Sequence, residues 1–131
     1  MHQSHVIHLS INRSFADAYD FLAEPRNYPR WAAVVESTFR QIGPNEWTAQ
    51  TEFGERIIRF CERNELGVLD HAVYRYGDQP LMMPMRLIPN DPGCELTFVF
   101  FRRAGITDAE FASAIEWVTT DFMALQGLLE I

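Results

Sequence analysis

The feature that most restricts this chain is a switch in hydrophobic period. From Val34 onward, apolar and polar residues alternate with period two for about seventy residues, and only short turn signals interrupt the run. Strands are expected near 34–42, 46–53, 56–64, 67–76, 81–88 and 94–103. They are punctuated by Gly43-Pro-Asn45, Gly54, Asn64-Glu-Leu-Gly67, Gly77-Asp-Gln-Pro80 and Pro89-Asn-Asp-Pro-Gly93. Such connections are too short for crossover helices, so the sheet is antiparallel. The period then changes again: Thr107-Asp-Ala-Glu110 is a capping box, and Phe111, Ile115, Val118, Phe122, Leu125 and Leu129 follow at spacings of four and three. The spacing predicts an amphipathic helix of about 23 residues, some 35 Å long and able to lie across the whole sheet. Ala114, Trp117, Asp121 and Leu128 broaden its apolar face beyond a coiled-coil seam.

The amino-terminal part is built differently. Residues 5–12 alternate, with Ile7, Leu9 and Ile11 on one face, and read as a half-buried strand. Ser14 is an N-cap for a short helix carrying Phe15, Ala18, Tyr19 and Leu22, which ends before Pro25. Two prolines in Glu24-Pro-Arg-Asn-Tyr-Pro-Arg-Trp31 make a tight corner or one further helical turn that places Trp31. With 131 residues and no linker or repeat, one domain spanning 1–131 is expected.

Charge restricts the partners. The net charge is −7, and all eleven bases are Arg scattered among acids, so no basic stripe is available for nucleic acid. No stretch approaches the ~20 apolar residues a membrane helix needs. The first residues lack the cationic region and apolar run of a signal peptide, and Cys61 and Cys94 form no Cys-x-x-Cys, so a cytoplasmic protein with two buried free thiols is expected. His2, His5 and His8 alternate across a strand with no nearby ligand to complete a metal site, and no nucleotide or phosphate loop motif is present. No metal or other cofactor is called for.

The order strand, two short helices, antiparallel strands and long carboxy-terminal helix is carried by particular stretches: Phe21-Leu-Ala-Glu-Pro-Arg-Asn-Tyr-Pro-Arg-Trp31, Gly67-Val-Leu-Asp-His71, Pro84-Met-Arg-Leu-Ile-Pro-Asn90 and Phe100-Phe-Arg-Arg-Ala-Gly-Ile-Thr-Asp108. In these the chain resembles the Bet v 1/START-related (SRPBCC) helix-grip superfamily, and within it the small bacterial polyketide cyclase or dehydrase-like proteins. The resemblance implies an α+β helix-grip fold, in which a curved antiparallel sheet of about seven strands wraps the long helix and leaves a cavity. The superfamily includes carriers, metabolite binders, cyclases and hydratases, and the fold does not choose among them.

The chain is rich in rings, with 10 Phe, 4 Tyr and 3 Trp. Phe15, Phe21, Phe111 and Phe122 are assigned to core-building helix faces. Parity on 94–101 turns Leu96, Phe98 and Phe100 inward, and parity on 46–53 turns Trp47, Ala49 and Phe53 inward. The cavity lining expected from these and the resemblance is Trp31, Phe53, Tyr74, Tyr76, Met83, Arg86, Phe98, Phe100 and Trp117. Strand 67–76 allows two orientations. Tyr74 and Tyr76 inward would supply hydroxyls to an apolar pocket, and His71 inward would supply a proton-transfer group. The tyrosines are the expected inward set, with His71 a surface or hydrogen-bonded strand histidine. Buried near the apolar stripe, Asp121 would need a partner, and Arg86 could supply it or hold a ligand carboxylate or enolate; both could equally lie at a wet edge.

Two main functions follow. The first is binding of a small apolar or aromatic metabolite. The second is cyclase or dehydratase chemistry on a carbonyl compound, with His71, Tyr74, Arg86 and Asp121 as candidate catalytic groups. A partner-binding or chaperone-like module is a third reading. Val99 and Phe101 fall on the outer face of the sheet, where two chains are expected to pair as a homodimer.

Overall fold

A computed structural model describes residues 1–130. The chain runs β1 (Ser4–Ile11), α1 (Phe15–Ala23), a 3₁₀ segment (Pro25–Arg30), a second 3₁₀ turn (Glu36–Thr38), then β2 (Arg40–Gly43), β3 (Glu46–Thr51), β4 (Gly54–Phe60), β5 (His71–Tyr74), β6 (Leu81–Met83), β7 (Met85–Asn90), β8 (Gly93–Phe101) and α2 (Asp108–Leu129). Local chemistry sets the helix starts. The Ser14 hydroxyl accepts from the Asp17 N–H, Glu24 caps the 3₁₀ segment, and Thr107 and Glu110 satisfy each other's backbone donors at the head of α2.

All strand pairs are antiparallel, in the orders β1-β8-β7 and β2-β3-β4-β5-β6. The expected seven strands become eight because Pro84, which has no N–H to donate, interrupts 81–90. The first half of that strand pairs with β5 and the second half with β8. Backbone bonds from Leu69 to Met85 and from Leu87 to Gly67 carry the ladder across the break, so the two sheets form one curved wall. Expected strands 46–53, 56–64 and 67–76 are shorter than their pattern, and the strand expected from 34 begins only at Arg40. Residues 36–38 coil instead, with the Val35 carbonyl accepting from the Thr38 hydroxyl at 2.6 Å.

Opposed residues in antiparallel strands share a face, so the register fixes what points at α2. Trp47, Ile58, Val73 and Leu81 lie on the inner face, as do Phe60, His71 and Met83; Met85 with Phe98 and Leu87 with Leu96 complete it. The inner face and the second half of α2 form the core, with Leu96 and Leu125 fully buried. A continuous series of ring contacts runs through it: Trp47, Phe39, Tyr28, Trp31, Phe122, Phe98, Phe100 and Phe111, each 4.7–6.3 Å from the next.

Cys94 is buried as expected, but Cys61 is exposed, since it falls one residue beyond the end of β4. No helix among the described residues is long and apolar enough to cross a membrane.

Gly67 is a close-approach point between the 67–70 segment and β7. It has φ +74°, and a Cβ there would overlap the Leu87 carbonyl oxygen and meet Phe15 Cε2 at 3.2 Å. Gly67→Ala should therefore lower unfolding stability by about 2–4 kcal/mol, seen as a lower urea midpoint followed by tryptophan fluorescence. A midpoint unchanged from the wild type would mean that this contact does not hold the wall together.

Candidate functional site

Small side chains on one flank of the first half of α2 make the site. The second half of α2 carries Phe122, Leu125 and Leu129, all buried against the sheet. In its first half Phe111 continues that buried stripe, while Ala109, Ser113 and Ala114 lie on the adjoining flank, where side chains this small leave space beside the sheet. The result is an open cleft of about 730 Å³. Phe100 of β8 and Phe53 of the β3–β4 turn form the sheet side, Trp117 and Val118 continue the helix side, and Ile106 closes the β8–α2 loop. Phe53 is 69% exposed, yet its ring lies 5.4 Å from that of Trp117 across the cleft. Behind Phe100, Phe111 stacks at 5.6 Å and gives the cleft a solid floor. The polar groups are Arg103, Glu110 and Ser113. Glu110 is held below the usual carboxylate range by its cap bonds to Thr107.

Of the expected lining residues, Phe53, Phe100 and Trp117 border this cleft. Trp31 and Phe98 are instead packed against Phe122 from two sides, and Met83 faces the core from a half-buried position. Three placements correct the sequence expectation. Tyr74 lies on the outer face, where its hydroxyl donates to Glu46 at 3.3 Å and Arg59 covers its ring. Tyr76 lies beyond the end of β5 and is 93% exposed. Arg86 also points outward, with its Nε and Nη2 donating to Asp70 at 3.0 and 2.8 Å, so it reaches neither Asp121 nor the cleft. That fork, with a further bond from the Met85 N–H, holds Asp70 below the ordinary carboxylate range.

His71 is an inward residue of β5, with Val73, and is only 6% exposed. Its Nδ1 donates to the Leu69 carbonyl at 3.2 Å, and its ring packs against those of Tyr28 and Phe60. Burial lowers its pKa, which keeps the imidazole neutral. Asp121 is half-buried on α2, and burial pushes its pKa up to about 6, offset in part by the Ala33 backbone N–H. The pKa of the Tyr28 hydroxyl is raised by burial and by the Asp121 charge. The four candidate catalytic groups thus divide among an outer ion pair, an outer strand face, a buried ring cluster and the helix. Among the described residues, no group of His, Cys, Asp and Glu side chains is placed to hold a metal ion.

Sequence reasoning missed Arg103, Ile106, Ala109, Glu110, Ser113, Ala114 and Val118 as lining. The readable signal was the small residues Ala109, Ser113 and Ala114 on one flank of the first half of α2, of which only Ala114 is among those that broaden its apolar face.

The fold matches solved structures along almost its full length. A START superfamily protein from Mycobacterium smegmatis superposes with a TM-score of 0.73 at 13% identity, covering 97% of both chains. The Aha1 dimer from Colwellia psychrerythraea gives 0.72 at 14%, covering 98% of this chain and 97% of that one. Ara h 8.0201 gives 0.68 at 12%, covering 97% of both. Models of known protein families give no match to this chain, and a search of curated proteins gives none. The chain has the Bet v 1/START-like helix-grip fold.

The raised pKa of Asp121 has a definite sign in stability. A carboxyl whose folded pKa exceeds its unfolded value contributes stability that is fully present below the unfolded pKa and is lost as pH rises through the folded one. For Asp121 that window runs from 3.8 to about 6. Asp121→Asn should therefore be more stable than the wild type at pH 7.5, by about 1–2 kcal/mol after allowance for solvent screening, and nearly equal to it at pH 4. Thermal melts of both proteins at the two pH values read this difference directly, and a variant less stable at pH 7.5 would show that the carboxylate is structurally required.

Proposed function

We propose that the chain binds a small apolar or aromatic molecule in the cleft between the first half of α2 and the sheet. The observation that carries this reading is the composition of the cleft: about 730 Å³ bordered by three aromatic rings and four aliphatic side chains, with a polar group at few points. That is the size and chemistry of a small-molecule site. Carrier function needs only such a lining and an opening, and it agrees with what the resemblance to the helix-grip superfamily implies. Cyclase or dehydratase chemistry needs an acid or base converging with an oxyanion donor on one substrate position. His71, Tyr74, Arg86 and Asp121 lie on different faces and layers, which supports binding over catalysis.

Two measurements test the reading. Native mass spectrometry of protein purified from its own host should find a small molecule bound. In vitro, the neutral dye N-phenyl-1-naphthylamine should fluoresce on binding, and Ala114→Trp, which fills the cleft from the helix side, should weaken that binding at least tenfold with little change in melting temperature. Equal dye binding by the Ala114→Trp variant would overturn the cleft as the site.

A second copy of the chain is the occupant proposed for the outer face of β1, β7 and β8. Val6 stands directly opposite Val99 there and is 56% exposed beside Phe101, and Ile88, farther along the same face opposite Glu95, is 51% exposed. The polar groups of that face are already paired within the chain, His8 and Ser10 both meeting Glu95 at 2.9 and 2.7 Å. A two-fold axis would set this apolar face against itself without stripping those partners, and the Aha1 neighbour is itself a dimer in solution. Sedimentation should show dimer at micromolar concentration and monomer for Ile88→Glu. Monomer for both proteins would remove the proposal.

A further inference from the structure

Trp117 borders a second space besides the apolar cleft. This space, of about 200 Å³, is bordered by Ala33, Trp117, Thr120 and Asp121. Asp121 follows Trp117 by four residues, so the two side chains stand one above the other and the indole is the wall shared by both spaces.

The polar end of this second space is unbalanced. The Asp121 carboxylate is half-buried, and none of the ion pairs among the described residues includes it. The group that bonds it is the Ala33 backbone N–H, and the Tyr28 phenol, whose pKa burial and the Asp121 charge raise, stays neutral. A carboxylate drawn out of water without a cation opposite loses solvation that a ligand cation would restore through a charge-assisted hydrogen bond. Its pKa of about 6 still leaves it mostly ionised at pH 7.5. The net charge of −7 attracts a cation and repels an anion at long range. At the other end of the cleft, Arg103 and Glu110 contribute one charge of each sign and no net preference.

We infer that the two spaces form one elongated site for a lipophilic amine, whose apolar or aromatic body fills the cleft against Phe100 and Trp117 while its protonated amino group reaches past the indole to Asp121. This rests on the proposed cleft-binding function and narrows its ligand class. The Trp117 ring face adds a second attraction for the cation as it passes. Ala109 and Asp121 are twelve residues apart on one helix, about 18 Å, so body and amine occupy consecutive helical turns.

The test uses three probes of one shape, 4-hexylbenzylamine, 4-hexylbenzyl alcohol and 4-hexylbenzoate, titrated calorimetrically at pH 7.5 into the wild type and into Asp121→Asn. The amine should bind the wild type at least tenfold more tightly than the alcohol, and the benzoate most weakly. In Asp121→Asn the amine should fall to within about threefold of the alcohol, whose own affinity should hardly move. Equal amine and alcohol affinities in the wild type would overturn the inference and leave the cleft function standing; so would a preference that survives in the variant. Failure of all three probes to bind would overturn both. The wild-type series decides the ligand class by itself, whatever the variant's yield.

Discussion

The placement of Phe122 organises the rest of the molecule. Trp31 meets its ring edge-on at 6.3 Å from one side and Phe98 at 5.8 Å from the other. Each such pair contributes about 0.5–1.5 kcal/mol beyond the area it buries, and burial of the ring itself contributes about 2–3 kcal/mol. Through Trp31 the contact reaches Tyr28 and the proline-rich 3₁₀ segment, and through Phe98 it reaches the centre of β8. One side chain thereby ties helix, corner and sheet at a single depth. The carboxy-terminal half of α2 is seated there, and its amino-terminal half projects from that anchor over the open part of the sheet.

Asp121 precedes Phe122 and so stands at the boundary between the packed and the open halves of α2. The packing that seats Phe122 also withdraws the Asp121 carboxylate from water, which raises its pKa, and the Ala33 backbone N–H offsets part of that rise. Its electrostatic character follows from where the ring beside it must sit. The same anchoring leaves His71 inside the ring cluster formed by Tyr28 and Phe60, where burial holds it neutral. An imidazole enclosed by rings and absent from the cleft lining has a packing role, with its Nδ1 proton used by the Leu69 carbonyl.

The architecture was legible in the sequence wherever a period met a stop signal. The capping box at Thr107 and Glu110 and the Ser14 cap mark the helix starts, and the even-numbered inward set of β8 follows from alternation of Leu96, Phe98 and Phe100 with Glu95, Thr97 and Val99. Orientation failed where both faces of a strand are apolar. In 67–76, Leu69 and Val73 balance Val68 and Ala72, so parity carried no information, and the register with β4 decided that His71 points in and Tyr74 out. Arg86 reads as a pocket group only until Asp70, sixteen residues away in sequence, is seen beside it. The cleft was half legible. Its rings were named, but the space itself arises from small residues, and absence of volume has no signature in a hydrophobic period.

A cleft lined by rings should close on itself unless its walls are held apart, and here they are held by polar contacts at the head of α2. Arg102 donates to Asp108 at 2.6 Å, to the Ile106 carbonyl at 2.7 Å and to Gln3 at 3.2 Å, while its guanidinium lies over the Phe111 ring. These bonds fix the β8–α2 loop and the first helical turn relative to the strand edge, and the capping box removes the donors that would otherwise let the turn fray. The helix is therefore pinned at its head by hydrogen bonds and Phe111 and farther along by Phe122, with small side chains on the flank between. Collapse of the middle would require bending α2 or breaking one of the two pins, and neither is offset by burying residues as small as Ala109, Ser113 and Ala114. The open space is a consequence of where the chain puts its large side chains, and it persists because both ends of the helix are committed elsewhere.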